Sequence, residues 1–154
     1  MSYTPFNRWI GFVLLNILAG YFLYQKEIFS LIISSDLTYI SIGVIIIYIL
    51  TSLSIGFKTF LHCHEDIYVS VKLEWFVRSE LAALGLIGTI IGLMFVLGPT
   101  FAGINPQASE TITKALSTIS LGVGTALWTT ITALTGAVLL GVQLMNLEHS
   151  QDDV

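Results

Sequence analysis

The chain has 154 residues, 55% hydrophobic and 10% charged, with a mean hydropathy of +0.85. Soluble domains carry about 25% charged residues, so this composition suits a lipid solvent better than water. The net charge of −4 comes with no basic patch, aromatic–basic cluster or zinc-finger spacing, which argues against nucleic-acid binding, and a single cysteine, Cys63, excludes an intramolecular disulfide.

The first apolar stretch runs from about Trp9 to Tyr24, with Trp9, Tyr21 and Tyr24 at its ends as interfacial anchors. Arg8 precedes it, but bulky aromatics and Lys26 follow without a small-residue cleavage site. It therefore reads as a retained membrane anchor rather than a cleaved signal. A connection with Lys26, Glu27 and Asp36 follows, its IFSLII stretch suited to the membrane interface. The second span covers about Leu37 to Phe57 and closes with Lys58. From roughly Glu65 to Leu97 no proline and no glycine before Gly85 interrupts a helix, whose membrane part is Leu81 to Leu97 and whose expected stop is Gly98-Pro99. The loop GPTFAGINPQAS leads to a fourth helix, with Ser109 as candidate cap, that runs from about Glu110 to Leu147 and is roughly 50 Å long at ~1.5 Å per residue.

The expected fold is all-α: a four-span transmembrane protein whose third and fourth helices are long and extend into the cytoplasm. Residues 1–60 form a peripheral two-span hairpin, 61–80 a short cytoplasmic helical segment, 81–147 a pore-forming hairpin and 148–154 an acidic tail. Arg8, Lys58, Lys72 and Arg78 outweigh Lys26 and Lys114, so the positive-inside rule puts both termini in the cytoplasm.

The two hairpin helices carry the functional signal. On the third, Gly85, Gly88, Thr89 and Gly92 share one side. On the fourth, Thr118, Gly122, Thr125, Thr129, Thr132 and Gly136 step by four and three. Two roles fit such tracks. Small residues let helices approach while hydroxyls bond across the interface, or the hydroxyls line a narrow polar path. No ionisable residue lies at mid-depth, so any relay of protons or ions needs a carboxylate from another chain.

GLIGTIIGLMFVL from Gly85 resembles the GLxGTVxGxI helix of the MotA/TolQ/ExbB proton-channel subunits, and ITKALSTISLGVGTAL from Ile112 is similar to that family's fourth helix. The resemblance covers roughly residues 80–140; four spans with both termini inside match the flagellar-motor branch. It implies a homopentamer in a bacterial-type inner membrane, surrounding a dimer of a single-span MotB/ExbD/TolR-like partner whose Asp carries the proton. Hydroxyls of the third and fourth spans would then face that Asp: Thr89 and Thr118 by motif position, with Ser120, Thr125 and Thr129 beside them. Gly85, Gly88, Gly92, Gly122, Thr132 and Gly136 would serve helix packing and the partner's approach. Ile119 stands where a second hydroxyl is often found, and Ser120 next to it faces elsewhere on an ideal helix. The segment from Lys58 to Glu80 is far shorter than the family's usual cytoplasmic domain, so the form implied is minimal.

Other residues suggest local roles. His62-Cys63-His64-Glu65-Asp66 has ligand-type side chains, but consecutive helical positions diverge and no second cluster exists, so no metal is expected. Glu74 and Arg78 are spaced for an ion pair; Lys114 could pair with Glu110 or with an acidic group of a partner. Asn16 suits a hydrogen bond between helices, and Trp128 a helix interface or lipid. No nucleophile–base pair, P-loop or dinucleotide fingerprint is present, so neither enzymatic activity nor a cofactor is expected. The rival to a proton channel is a structural or holin-like pore-forming oligomer without proton coupling.

Overall fold

A computed structural model describes residues 4–27, 39–65, 67–103 and 109–152. Of these, 93% are helical and none lies in a strand. The helices are α1 (Thr4–Gln25), α2 (Ile40–Glu65), α3 (Lys72–Ala102) and α4 (Ser109–Asp152). Each is long and apolar enough to cross a membrane, so the chain is an all-α, multi-pass membrane protein. IFSLII and Asp36 lie outside the described residues, as do 104–108 of the loop before α4.

The bundle runs up and down. On α3 and α4 the numbering moves in opposite senses: Leu81 meets Gly136, Gly85 meets Ala133, Gly92 meets Ala126 and Val96 meets Gly122. α2 runs alongside both, from Ile40, which meets Gly88 of α3 where Thr129 of α4 also packs, to His62 beside Ser150 of α4. α1 is fixed at its start, where Trp9 packs on Gly56, Phe6 meets Phe60 edge-on and the Asn146 amide donates to Pro5 O at 3.0 Å. Pro5, the end of α2, the start of α3 and the end of α4 therefore share one end of the bundle, called here the base.

α4 explains the close packing. Ala115, Gly122, Thr129, Gly136 and Gln143 recur every seven residues and are buried; Ala126, Ala133, Leu140 and Leu147 recur every seven between them and are buried too. Such a 3.5-residue period keeps one seam against a neighbour, as in left-handed helix pairs. The seam is small (Ala, Gly, Thr) in the upper half and gains leucines toward the base, where α2 adds a third wall with Val44 and Ile55. Above Gly88 the described residues leave α3 and α4 as a pair, with Ile90, Met94, Phe95, Leu116 and Leu127 exposed. About 20 Å of hairpin stands there at ~1.5 Å per residue.

Several expectations need correction. The helix predicted from Glu65 onward is interrupted: 67–71 are non-helical and α3 starts at Lys72. The carbonyls of this link bond to side chains instead, Ser70 O to Lys58 Nζ at 2.7 Å and Val69 O to Gln151 Nε2 at 3.2 Å. The His62 ring bridges Ile67 O (3.0 Å from Nδ1) and Ser150 O (3.3 Å from Nε2). α2 runs to Glu65, so a division at residue 60 falls inside it. Gly98-Pro99 does not stop α3, which continues to Ala102. Gly98 lacks the Cβ that a proline ring crowds, the missing N–H falls in the last turn, and Thr100 Oγ1 donates to Val96 O at 2.5 Å.

Asn16 bonds within its own helix, donating to Phe12 O at 2.8 Å. The apolar window of α1 has none of its residues buried, so among the described residues no other helix offers the amide a partner. Asn16→Leu should leave stability in detergent within about 0.5 kcal/mol of wild type, as judged by thermal unfolding. A loss of several times that would place the amide against another chain.

Candidate functional site

The α3–α4 seam gathers most of the Gly/Thr positions singled out above. A Cβ on Gly85 would stand 2.6 Å from Ala133 Cβ, and one on Gly88 would stand 3.1 Å from Thr129 Oγ1. One on Gly92 would reach Ala126 Cβ at 3.5 Å. These glycines admit α4 of the same chain. Gly122 and Gly136 repeat the device from α4, against Val96 and against Leu81 and Tyr48.

At the centre of the seam two hydroxyls cross. Thr89 Oγ1 lies 3.0 Å from Ala126 O on α4, and Thr130 Oγ1 donates to Gly85 O on α3 at 3.1 Å. The two hydroxyl oxygens also touch each other. With one proton each, Thr89 donates to Ala126 O and Thr130 to Gly85 O, which ties the helices reciprocally. Each such bond between membrane helices contributes about 0.6 kcal/mol. Both threonines are half-buried, so the pair is open on one side.

The pair sits far from charge. On α3 no charged residue occurs between Glu80 and the helix end, and on α4 none between Lys114 and Glu148. Thr130 is about 24 Å along the axis from Lys114 and Thr89 about 14 Å from Glu80, so the pair lies inside a ~30 Å hydrocarbon layer set between those charges. Nothing here can hold a net charge alone, but hydroxyls can donate to a carboxylate or accept from a carboxylic acid.

The other candidates fall on different faces. Thr129 is buried in the seam and donates to Ala126 O at 2.8 Å. Thr118 is exposed and donates to Lys114 O of its own helix at 2.9 Å; Thr132 does the same to Trp128 O at 2.9 Å. Ser120 is exposed, and the side chain of Thr125 lies outside the described residues. The stepped track is thus two rows. Gly122, Thr129 and Gly136 point into the seam, while Thr118 and Thr132, four residues before Gly122 and Gly136, lie about 40° around the helix. Thr118 lines an open cleft of about 290 Å³ with Lys114, Thr100 and Thr111.

Sequence reasoning missed Thr130, which is off the stepped track, and Gln143, which continues it seven residues beyond Gly136. Gln143 is buried and accepts from Ser52 Oγ at 2.8 Å. It also missed a polar cluster at the base. Glu74 is buried and pairs with Lys58 at 2.7 Å, not with Arg78, and accepts from Ser54 Oγ at 2.7 Å. Arg78 stacks over Trp75 and donates to Ala137 O at 3.2 Å, and Trp75 Nε1 donates to Glu148 at 2.6 Å. Among the described residues Lys58–Glu74 is the one ion pair, so Lys114 does not pair with Glu110. His62 and Cys63 turn inward while His64 is exposed and stacks on Phe60. Among the described residues no three ligand-type side chains gather around a point.

Compared with protein-family models, with curated proteins and with solved structures, the chain matches none.

Proposed function

We propose that this chain is a proton-channel subunit of the MotA/TolQ/ExbB type, in a motor or energy-transducing complex driven by the proton-motive force. In this reading it forms a homopentamer in a bacterial-type inner membrane, around a dimer of a single-span partner whose Asp carries the proton. Both termini lie in the cytoplasm, because the base holds Arg8, Lys58, Lys72 and Arg78 while the opposite end holds Lys26 and Lys114. The observation that carries the reading is the Thr89–Thr130 pair: hydroxyls at mid-depth, open on one side, with no charged group of this chain at that level. The upper half of α4 adds exposed Ser117, Thr118 and Ser120, which suits a protein or water neighbour better than acyl chains.

A partner carboxylate entering this layer is neutral where desolvation dominates and charged where water or hydroxyls reach it. Alternation between the two states lets a gradient bias the ring against its partner. The short link at 67–71 leaves no room for a large rotor-docking domain between α2 and α3. One observation favours the rival, a structural oligomer without proton coupling: both hydroxyls already bond carbonyls of the hairpin.

The two separate by measurement. The protein is co-purified with the product of a neighbouring gene encoding one span with a mid-depth Asp, its subunits are counted, and proton flux is followed in liposomes. Thr89→Val with Thr130→Val should lower flux about tenfold, a barrier change of ~1.4 kcal/mol, with the ring intact. Thr132→Val, whose hydroxyl bonds only its own helix, should not. Unchanged flux in the double variant removes the hydroxyls from the pathway, and a ring that needs no partner favours the structural oligomer.

A further inference from the structure

We propose that the wedge between α1 and the base of α4 binds one anionic phospholipid, with its phosphate on Arg8 and an acyl chain along Gly11, Phe12 and Leu15. The site does not depend on what the protein drives. Its shape follows from how α1 is held: Phe6, Trp9 and the Pro5 carbonyl fasten its start to α2 and α4, and no residue of its apolar window is buried. α1 consequently stands off from α4 above Asn146, leaving a groove of about 440 Å³ lined by Arg8, Gly11, Phe12, Leu15 and Asn146. Gly11 borders open space, since a Cβ there would meet nothing within 4 Å.

Charge selects the occupant. Arg8 is exposed and makes no ion pair among the described residues, whereas Lys58 is held by Glu74 and Arg78 by the Ala137 carbonyl. A cation beside an apolar groove, at the base of a membrane bundle, complements a lipid with a negative headgroup. Basic pockets between membrane helices on the cytoplasmic side hold such headgroups. The Asn146 amide is already committed to Pro5 O, so the groove's floor is fixed rather than adaptable.

The test uses the full chain, delipidated in detergent and given phosphatidylglycerol or phosphatidylcholine, with bound lipid counted by native mass spectrometry. Wild type should hold one phosphatidylglycerol per chain with about a fivefold preference over phosphatidylcholine, the scale of one basic residue at an anionic surface. Arg8→Gln should abolish the preference while keeping weak binding of both. Gly11→Leu should fill the groove and lower both, and it folds, because helix propensity rises and the added side chain enters open space. A preference that survives Arg8→Gln, or retention unchanged by Gly11→Leu, overturns the proposal. So does a Leu15→Cys variant that forms disulfides between copies in the membrane, since a second copy would then occupy the wedge.

Discussion

Lys58→Met is expected to destabilise the folded bundle by about 3–5 kcal/mol, the cost of leaving a buried charge without its partner. The Glu74 side chain is 3% exposed, and Lys58 supplies its only counter-charge among the described residues. Ser54 Oγ remains as a donor but cannot balance a full charge. Lys58 also donates to Ser70 O, so the substitution loosens the link that turns α2 into α3. Adding Glu74→Leu should recover most of the loss, because an apolar pair of similar volume often replaces a buried ion pair without cost. Thermal or denaturant unfolding in micelles measures both. If Lys58→Met alone lies within 1 kcal/mol of wild type, water reaches the carboxylate and the pair is a surface contact.

The second large effect is expected at Gly85. Gly85→Ala places a methyl 2.6 Å from Ala133 Cβ and 3.3 Å from Thr130 Cα. Ala133 is fully buried on a helix held on both sides, so α3 and α4 must separate. Overpacking of this kind costs about 1–3 kcal/mol, and separation also breaks the Thr89–Thr130 crossing. The compensating change is specific: Ala133→Gly in the same chain removes the atom that clashes and should restore stability and the hydroxyl contact. Gly124→Ala, where a Cβ meets nothing within 4 Å, should be neutral or stabilising. If Gly85→Ala behaves like Gly124→Ala, the seam is looser than its geometry and the close approach of α3 and α4 is not what holds the hairpin.

These two sites differ in how far they could be read in advance. Gly85, Gly88 and Gly92 stand out in an oily helix because small residues at spacings of three and four form one face, whatever the partner. Their partners stood out only in part: Gly88 meets Thr129 of the stepped track, but Gly85 and Gly92 meet Ala133 and Ala126, and alanine signals nothing by itself in an apolar segment. Thr130 was invisible for a related reason. It breaks the stepped track, and only the antiparallel register of α3 and α4 sets it beside Thr89. Glu74 has Arg78 one turn ahead in sequence, yet the nearer cation in space is Lys58 on another helix.

By itself the sequence determined the solvent, the number of spans and the absence of charge at mid-depth, since these depend on composition and on runs of about 20 apolar residues. It also determined which faces carry small and hydroxylated residues, because 100° per residue is a property of any helix. Only the tertiary structure decided where α3 begins, which hydroxyls meet and which cation serves Glu74. At 67–71 the backbone leaves the helix while its carbonyls bond to side chains from α2 and α4, groups up to 82 residues away along the chain. A local pattern cannot contain that information, because the groups that satisfy those carbonyls come within reach only once the bundle has formed.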